Sequence, residues 1–181
     1  NKVLGGIYNY GTNFEQLKSK CTSKINQIRT SQNENLLTLL LEGDQRCGKT
    51  ALAAKLALES DFPYVKLITP ENFVGYTELA KVHKIVKMFE DAYKSELSLI
   101  ILDEIERIME YIDIGPRFSQ NILNVLLVLI KKKNPSINRK IMIIGTTSSK
   151  SVMQDTGIVD CFNYCYNVPN ICSKEEVAVV L

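Results

Sequence analysis

Between Gly43 and Thr50 the chain reads Gly-Asp-Gln-Arg-Cys-Gly-Lys-Thr, the spacing G-x-x-x-x-G-K-T, directly after the apolar run Leu36 to Leu41. Glycines at this spacing let successive backbone N–H groups curl around phosphate oxygens. A helix opening just beyond presents its positive dipole end to the same anion. In such a pattern Lys49 reaches the β- and γ-phosphates, and Thr50 offers its hydroxyl to Mg²⁺. Gly43, Asp44, Gln45, Arg46, Cys47, Gly48, Lys49, Thr50 and Ala51 are therefore the expected phosphate cradle. A second apolar run, Leu99 to Leu102, ends in Asp103-Glu104. A carboxylate at a strand end is placed to hold the metal, which assigns Mg²⁺ to Thr50 and Asp103. Glu104 then orients or deprotonates the water that attacks the terminal phosphate. A third run, Ile141 to Ile144, leads into Gly145-Thr146-Thr147-Ser148-Ser149, hydroxyls suited to sensing that phosphate. Together the pieces specify a site for ATP and Mg²⁺.

Composition narrows the class around this site. The chain has 181 residues, 45% of them hydrophobic, and a formal charge of +2. That length suits one domain with a sizeable core, and the near-balanced charge supplies no strong field toward nucleic acid or an anionic membrane. No apolar run reaches the roughly 18 residues that span a bilayer, and the opening Asn1-Lys2-Val3-Leu4-Gly5 lacks the pattern of a signal peptide. A start at Asn1 is the expected mark of a piece of a longer protein. The five cysteines form no C-x-x-C pair and are odd in number, which argues against a disulfide framework or a zinc site and for a reducing, cytoplasmic setting. Cys47, beside a helix N-terminus and Lys49, is expected to be open to alkylation and shielded by ATP. His83, the one histidine, has no metal-ligating partner at the required spacing and reads as structural.

The elements that must position these residues follow from periodicity. Thr12-x-x-Glu15 reads as a capping box, followed by a helical face of Phe14, Leu17, Cys21, Ile25 and Ile28. Then strands and helices alternate. The predicted order is strand 36–41, helix 51–59, strand 64–68, helix 78–94, strand 97–102, helix 118–132 opened by Gly115-Pro116, strand 141–144, a short segment near Val152, and strand 164–168. Buried strands alternating with helices specify an α/β fold, a three-layer α/β/α sandwich of the P-loop NTPase type around a parallel sheet. Residues 1–170 form the nucleotide-binding subdomain in this reading, and 171–181 begin a helical lid.

The order of phosphate loop, strand ending in Asp-Glu, and Gly-Thr-Thr-Ser strand end resembles AAA+ ATPases. More narrowly, Lys49-Thr50-Ala51-Leu52-Ala53-Ala54-Lys55, Phe89-Glu90-Asp91-Ala92-Tyr93-Lys94-Ser95, Ile114-Gly115-Pro116-Arg117-Phe118-Ser119 and Ile144-Gly145-Thr146-Thr147-Ser148 resemble the second ATPase module of the N-ethylmaleimide-sensitive fusion protein family. The resemblance implies a cytoplasmic homo-hexamer, peripheral to vesicle and Golgi membranes, that disassembles SNARE complexes with the SNAP adaptor. It implies that this module binds ATP and holds the ring together while hydrolysing slowly. It also places adenine against Ile7, Tyr10 and Gly11, and assigns Phe73, Val74 and Gly75 to a pore loop. Ser148 takes the sensor position, where active relatives usually have Asn.

Active rings complete each site with an arginine from the neighbouring subunit, shortly after the sensor strand. This chain has no arginine between Lys150 and Leu181. Such a group is worth about 10³ to 10⁵ in rate, or roughly 4 to 7 kcal/mol, so slow turnover is expected. Glu104 pulls the other way, since the related module often has Asp there, and it keeps an actively hydrolysing motor as the alternative. Lys131 and Lys140 are the expected cations for a neighbour's γ-phosphate. A nucleic-acid machine such as a clamp loader is disfavoured by the lack of a Ser-Arg-Cys triplet and of a basic face.

Overall fold

The structure, a computed structural model, describes residues 11–114 and 117–170. Among the described residues five strands form one wholly parallel sheet: β1 (Leu36–Glu42), β2 (Tyr64–Ile68), β3 (Leu97–Leu102), β4 (Lys140–Thr147) and β5 (Tyr164–Asn167), in the spatial order β2-β3-β4-β1-β5. Successive side chains along a strand point to opposite faces, so a strand buried on both sides supplies two cores at once. Leu37, Leu39, Leu41, Leu99, Ile101, Met142 and Ile144 face one layer, while Leu40, Ile100, Leu102, Ile141 and Ile143 face the other. The first layer is covered by α1 (Thr12–Thr30) and α2 (Lys49–Glu59), the second by α3 (Glu78–Ala92) and α5 (Gln120–Lys131). This is the three-layer sandwich expected from the sequence.

Helix α1 buries Phe14, Leu17, Cys21, Ile25 and Ile28, the face that its periodicity selects. Its start differs from expectation. Gly11 is the N-cap and makes no side-chain cap, so Thr12 lies inside the first turn and the capping box does not form. Helix α2 begins at Lys49 rather than Ala51, α3 ends at Ala92 rather than Lys94, and β5 ends at Asn167 rather than Val168. Helix α5 begins at Gln120 because Ser119 caps it, its hydroxyl accepting from the Ile122 N–H. Gly115 and Pro116, expected to open that helix, and the expected lid segment 171–181 lie outside the described residues.

The most consequential difference is β4, which runs on past Ile144 through Gly145, Thr146 and Thr147. Pairing with β1 carries it there, since Glu42 lies opposite Thr147, and the two buried hydroxyls find acidic partners. Two short helices, α4 (Ile105–Ile108) and α6 (Lys150–Asp155), and 3-10 turns at Pro70–Phe73 and Val159–Cys161 complete the described chain. Among the described residues no helix is long and apolar enough to cross a membrane.

Helix α1 contributes to stability through its buried stripe rather than its cap. Ile28→Ala, at a fully buried position, is expected to cost about 2–5 kcal/mol in urea unfolding. Leu58→Ala, at a side chain 62% exposed, should cost less than about 0.5 kcal/mol.

Candidate functional site

The loop between β1 and α2 is shaped by two glycines. Gly43 has φ +152, and a Cβ there would lie 2.8 Å from the Val168 carbonyl oxygen. Gly48, the N-cap of α2, has φ 93 in the left-handed region that side chains resist. Arg46, also left-handed at φ 66, completes the turn. Lys49 is buried and folds back over the loop, its Nζ 2.9 Å from the Gly43 carbonyl and 2.5 Å from that of Asp44. The exposed Asp44 accepts from the Asn170 amide. Cys47 is half-buried, its sulfur 3.7 Å from Lys49 Nζ.

The C-terminal ends of β3 and β4 meet the start of α2 at Asp103. Its Oδ1 accepts from both Thr50 Oγ1 and Thr146 Oγ1, each at 2.7 Å. The Thr146 hydroxyl in turn accepts from the Glu104 N–H at 2.9 Å. Glu104 adopts φ 53, a left-handed conformation that costs a non-glycine residue on the order of 1–3 kcal/mol. Its carboxylate pairs with Arg107 at 2.8 Å. Two residues after Glu104, the buried Glu106 accepts from Thr147 Oγ1 at 2.8 Å and from the Ser148 N–H at 2.9 Å.

A cleft of about 580 Å³ is bordered by Gln45, Arg46, Gly48, Lys49, Thr50 and Ala51 and by Glu104, Glu106, Arg107, Thr146 and Ser148, with the buried Asp103 tied to it through its bond from Thr50. Lys49, Thr50, Asp103, Glu104 and Ser148 are thus gathered at one place. The chemistry suits a triphosphate with Mg²⁺: a hydroxyl and a carboxylate oxygen converge as hard donors, and the open glycine loop lies beside them. Magnesium asks for few protein ligands because phosphates and water supply the rest.

Other expected residues lie elsewhere. Phe73, expected in a pore, is 4% exposed and belongs to the core, whereas Val74 is 80% exposed and Tyr76 46%. The 3-10 turn directs Phe73 inward, and Lys84 stands over the Tyr76 ring at 4.2 Å. Lys140 begins β4, at the end of the sheet opposite the cleft, and its Nζ bonds the Arg29 carbonyl at 2.8 Å. Lys131 is exposed at the last turn of α5. Gly11 caps α1, while Ile7 and Tyr10 lie outside the described residues. His83 is exposed on α3. Burial pushes the Cys21 thiol up to about 12, and burial also raises Cys161 and Cys165.

The geometry agrees with comparison to known proteins. The model of the ATPase family associated with various cellular activities (AAA) matches residues 39–169. The chain belongs to this family. It is 43% identical, over 97% of its length, to the vesicle-fusing ATPase of Dictyostelium discoideum, and covers 24% of that protein. It is 39% identical, over 99% of its length, to the vesicular-fusion protein SEC18 of Saccharomyces cerevisiae, again covering 24%. The nuclear valosin-containing protein-like of Mus musculus is more distant, at 24% identity. The chain spans about a quarter of the length of the vesicle-fusing relatives it matches.

Sequence reasoning named Thr146 only as one of several hydroxyls beside the terminal phosphate, not as a partner of Asp103, and it overlooked Glu106. Thr146 becomes legible once register is known: Leu102 pairs with Gly145, so the next residues, Asp103 and Thr146, stand side by side. Glu106 carries a weaker signal, a third acid following Asp103-Glu104 between the apolar Ile105 and Ile108. Thr146→Val removes one bond to Asp103 and strands the Glu104 N–H. It is expected to cost about 1–3 kcal/mol in urea unfolding, while Thr146→Ser, which keeps the hydroxyl, should recover most of that loss.

Proposed function

We propose that this AAA-family chain is the nucleotide-holding module of a vesicle-fusing type of ATPase, in which bound ATP and Mg²⁺ stabilise a homo-hexamer while the module's own hydrolysis is slow. The meeting of Lys49 and Thr50 at one cleft, with Asp103 bonded directly to Thr50, carries the reading. In it, the loop amides and Lys49 hold the phosphates, and Thr50 and Asp103 hold the metal. Glu104 stands where the attacking water would be oriented, and Ser148 at the terminal phosphate. Bound metal would supply charge neutralisation along the phosphates.

Slow turnover is supported by the absence of arginine from Lys150 to Leu181. A placed base does not neutralise the charge that develops on a transferring phosphoryl group. Lys131 remains the proposed cation toward a neighbour's nucleotide, since it is exposed at a helix end. Lys140 is a weaker candidate, because its ammonium already bonds the Arg29 carbonyl. Through the remainder of the protein, the proposed setting is SNARE disassembly with the SNAP adaptor, in the cytoplasm beside vesicle and Golgi membranes. The matching relatives are named for vesicle fusion.

A second reading, an actively hydrolysing motor, is favoured by one observation: Glu104 borders the cleft beside Asp103. Variants at Lys49 and Glu104 separate the two. Light-scattering mass with ATP, with ADP and without nucleotide should show ATP-dependent assembly of the parent and of Glu104→Gln, and none for Lys49→Ala. ATP turnover should stay below about one per second and change little in Glu104→Gln. Faster turnover that Glu104→Gln abolishes would establish the motor instead.

A further inference from the structure

Glu106 is a carboxylate only 8% exposed, and among the described residues no cation pairs with it; its two oxygens accept from Thr147, the last residue of β4, and from Ser148, the first beyond it. A buried charge of this kind is costly unless each oxygen is occupied, and bonds to it are correspondingly strong. The Thr147 hydroxyl it engages also accepts from the Ser149 N–H at 3.1 Å, so one acid fixes three consecutive residues. Glu106, Ser148 and Ser149 border the same cleft as Lys49 and Thr50. With ATP in this cleft, the loop amides and Lys49 would hold the phosphates, and the Ser148 segment, which borders the same space, would meet the terminal one.

We propose that Glu106 is a positioning residue: by pinning Thr147 and Ser148 it holds the Ser148 segment against the terminal phosphate and so sets the preference of the site for triphosphate over diphosphate. The inference rests on reading the cleft as the ATP site. A diphosphate lacks the group that this segment would meet, so the preference between ATP and ADP isolates the role from general stability. Glu106→Gln retains an oxygen for the Ser148 N–H and an amide for the Thr147 hydroxyl, whereas Glu106→Ala retains neither.

The test is calorimetric titration of the protein with ATP and with ADP, each with Mg²⁺. Glu106→Ala is expected to weaken ATP about tenfold, the scale of one charge-assisted hydrogen bond, and to change ADP less than about twofold. Glu106→Gln should keep the parent's preference. Equal losses for ATP and ADP in Glu106→Ala, or no loss for either, would overturn the inference and leave Glu106 a brace of the fold. If circular dichroism shows Glu106→Ala unfolded, Thr147→Val, which removes one of the two bonds, carries the same comparison; an unchanged preference there overturns the inference equally. A parent that binds neither nucleotide overturns the ATP reading itself before any variant is compared.

Discussion

Oxygen Oδ1 of Asp103 is shared by two hydroxyl donors, Thr50 from the first turn of α2 and Thr146 from the end of β4. Parallel strands bring their C-terminal ends to one edge of the sheet, and β4 lies between β3 and β1. The phosphate loop leaves β1 and the acids leave β3, so they would face each other across the width of β4 without a fixed separation. The Asp103 carboxylate sets that separation. Helix α2 is thereby anchored at its first turn, and Lys49 and Thr50 are delivered to the cleft by the same constraint.

That constraint also explains the strain beside it. Asp103 must continue the line of β3, and its N–H still bonds the Ile68 carbonyl at 2.9 Å. Glu106, three residues on, must reach the end of β4. A chain that makes both contacts has no room for an extended connection. Glu104 takes the left-handed conformation that turns β3 directly into α4, and its N–H is satisfied by Thr146. The cost of that conformation is borne at the residue proposed to handle water, where departures from local preference are common.

Much of this was legible in the sequence because both layers of the core are written in simple periods. The stripe of α1 and the apolar runs of β2 and β3 coincide with the elements formed. The loop glycines announce their geometry because few other residues adopt it. The rest depended on partners distant in the chain. Thr146 and Thr147 read as polar residues beyond a strand, and only pairing with β1 and the acids of the 103–106 segment keeps them inside it. Phe73 reads as an aromatic next to an aliphatic residue and a glycine, but the Thr69–Asn72 capping box winds the turn so that Phe73 enters the core and Val74 faces outward.

The pairing of Glu104 with Arg107 bears on the proposal that Glu104 handles water while turnover is slow. Arg107 is largely exposed and three residues away, so the pair is worth only a few tenths of a kcal/mol to about 1 kcal/mol and cannot by itself silence a base. The lack of an arginine finger, as proposed from the absence of arginine between Lys150 and Leu181, would weigh several times more. In the proposed reading, ATP stays bound because its phosphates and metal are well held by Lys49, Thr50 and Asp103, while the charge of the transition state finds no arginine from the segment after β4. Retention and slow hydrolysis then have separate physical causes, and a site can keep Asp103-Glu104 intact while serving chiefly to hold its nucleotide.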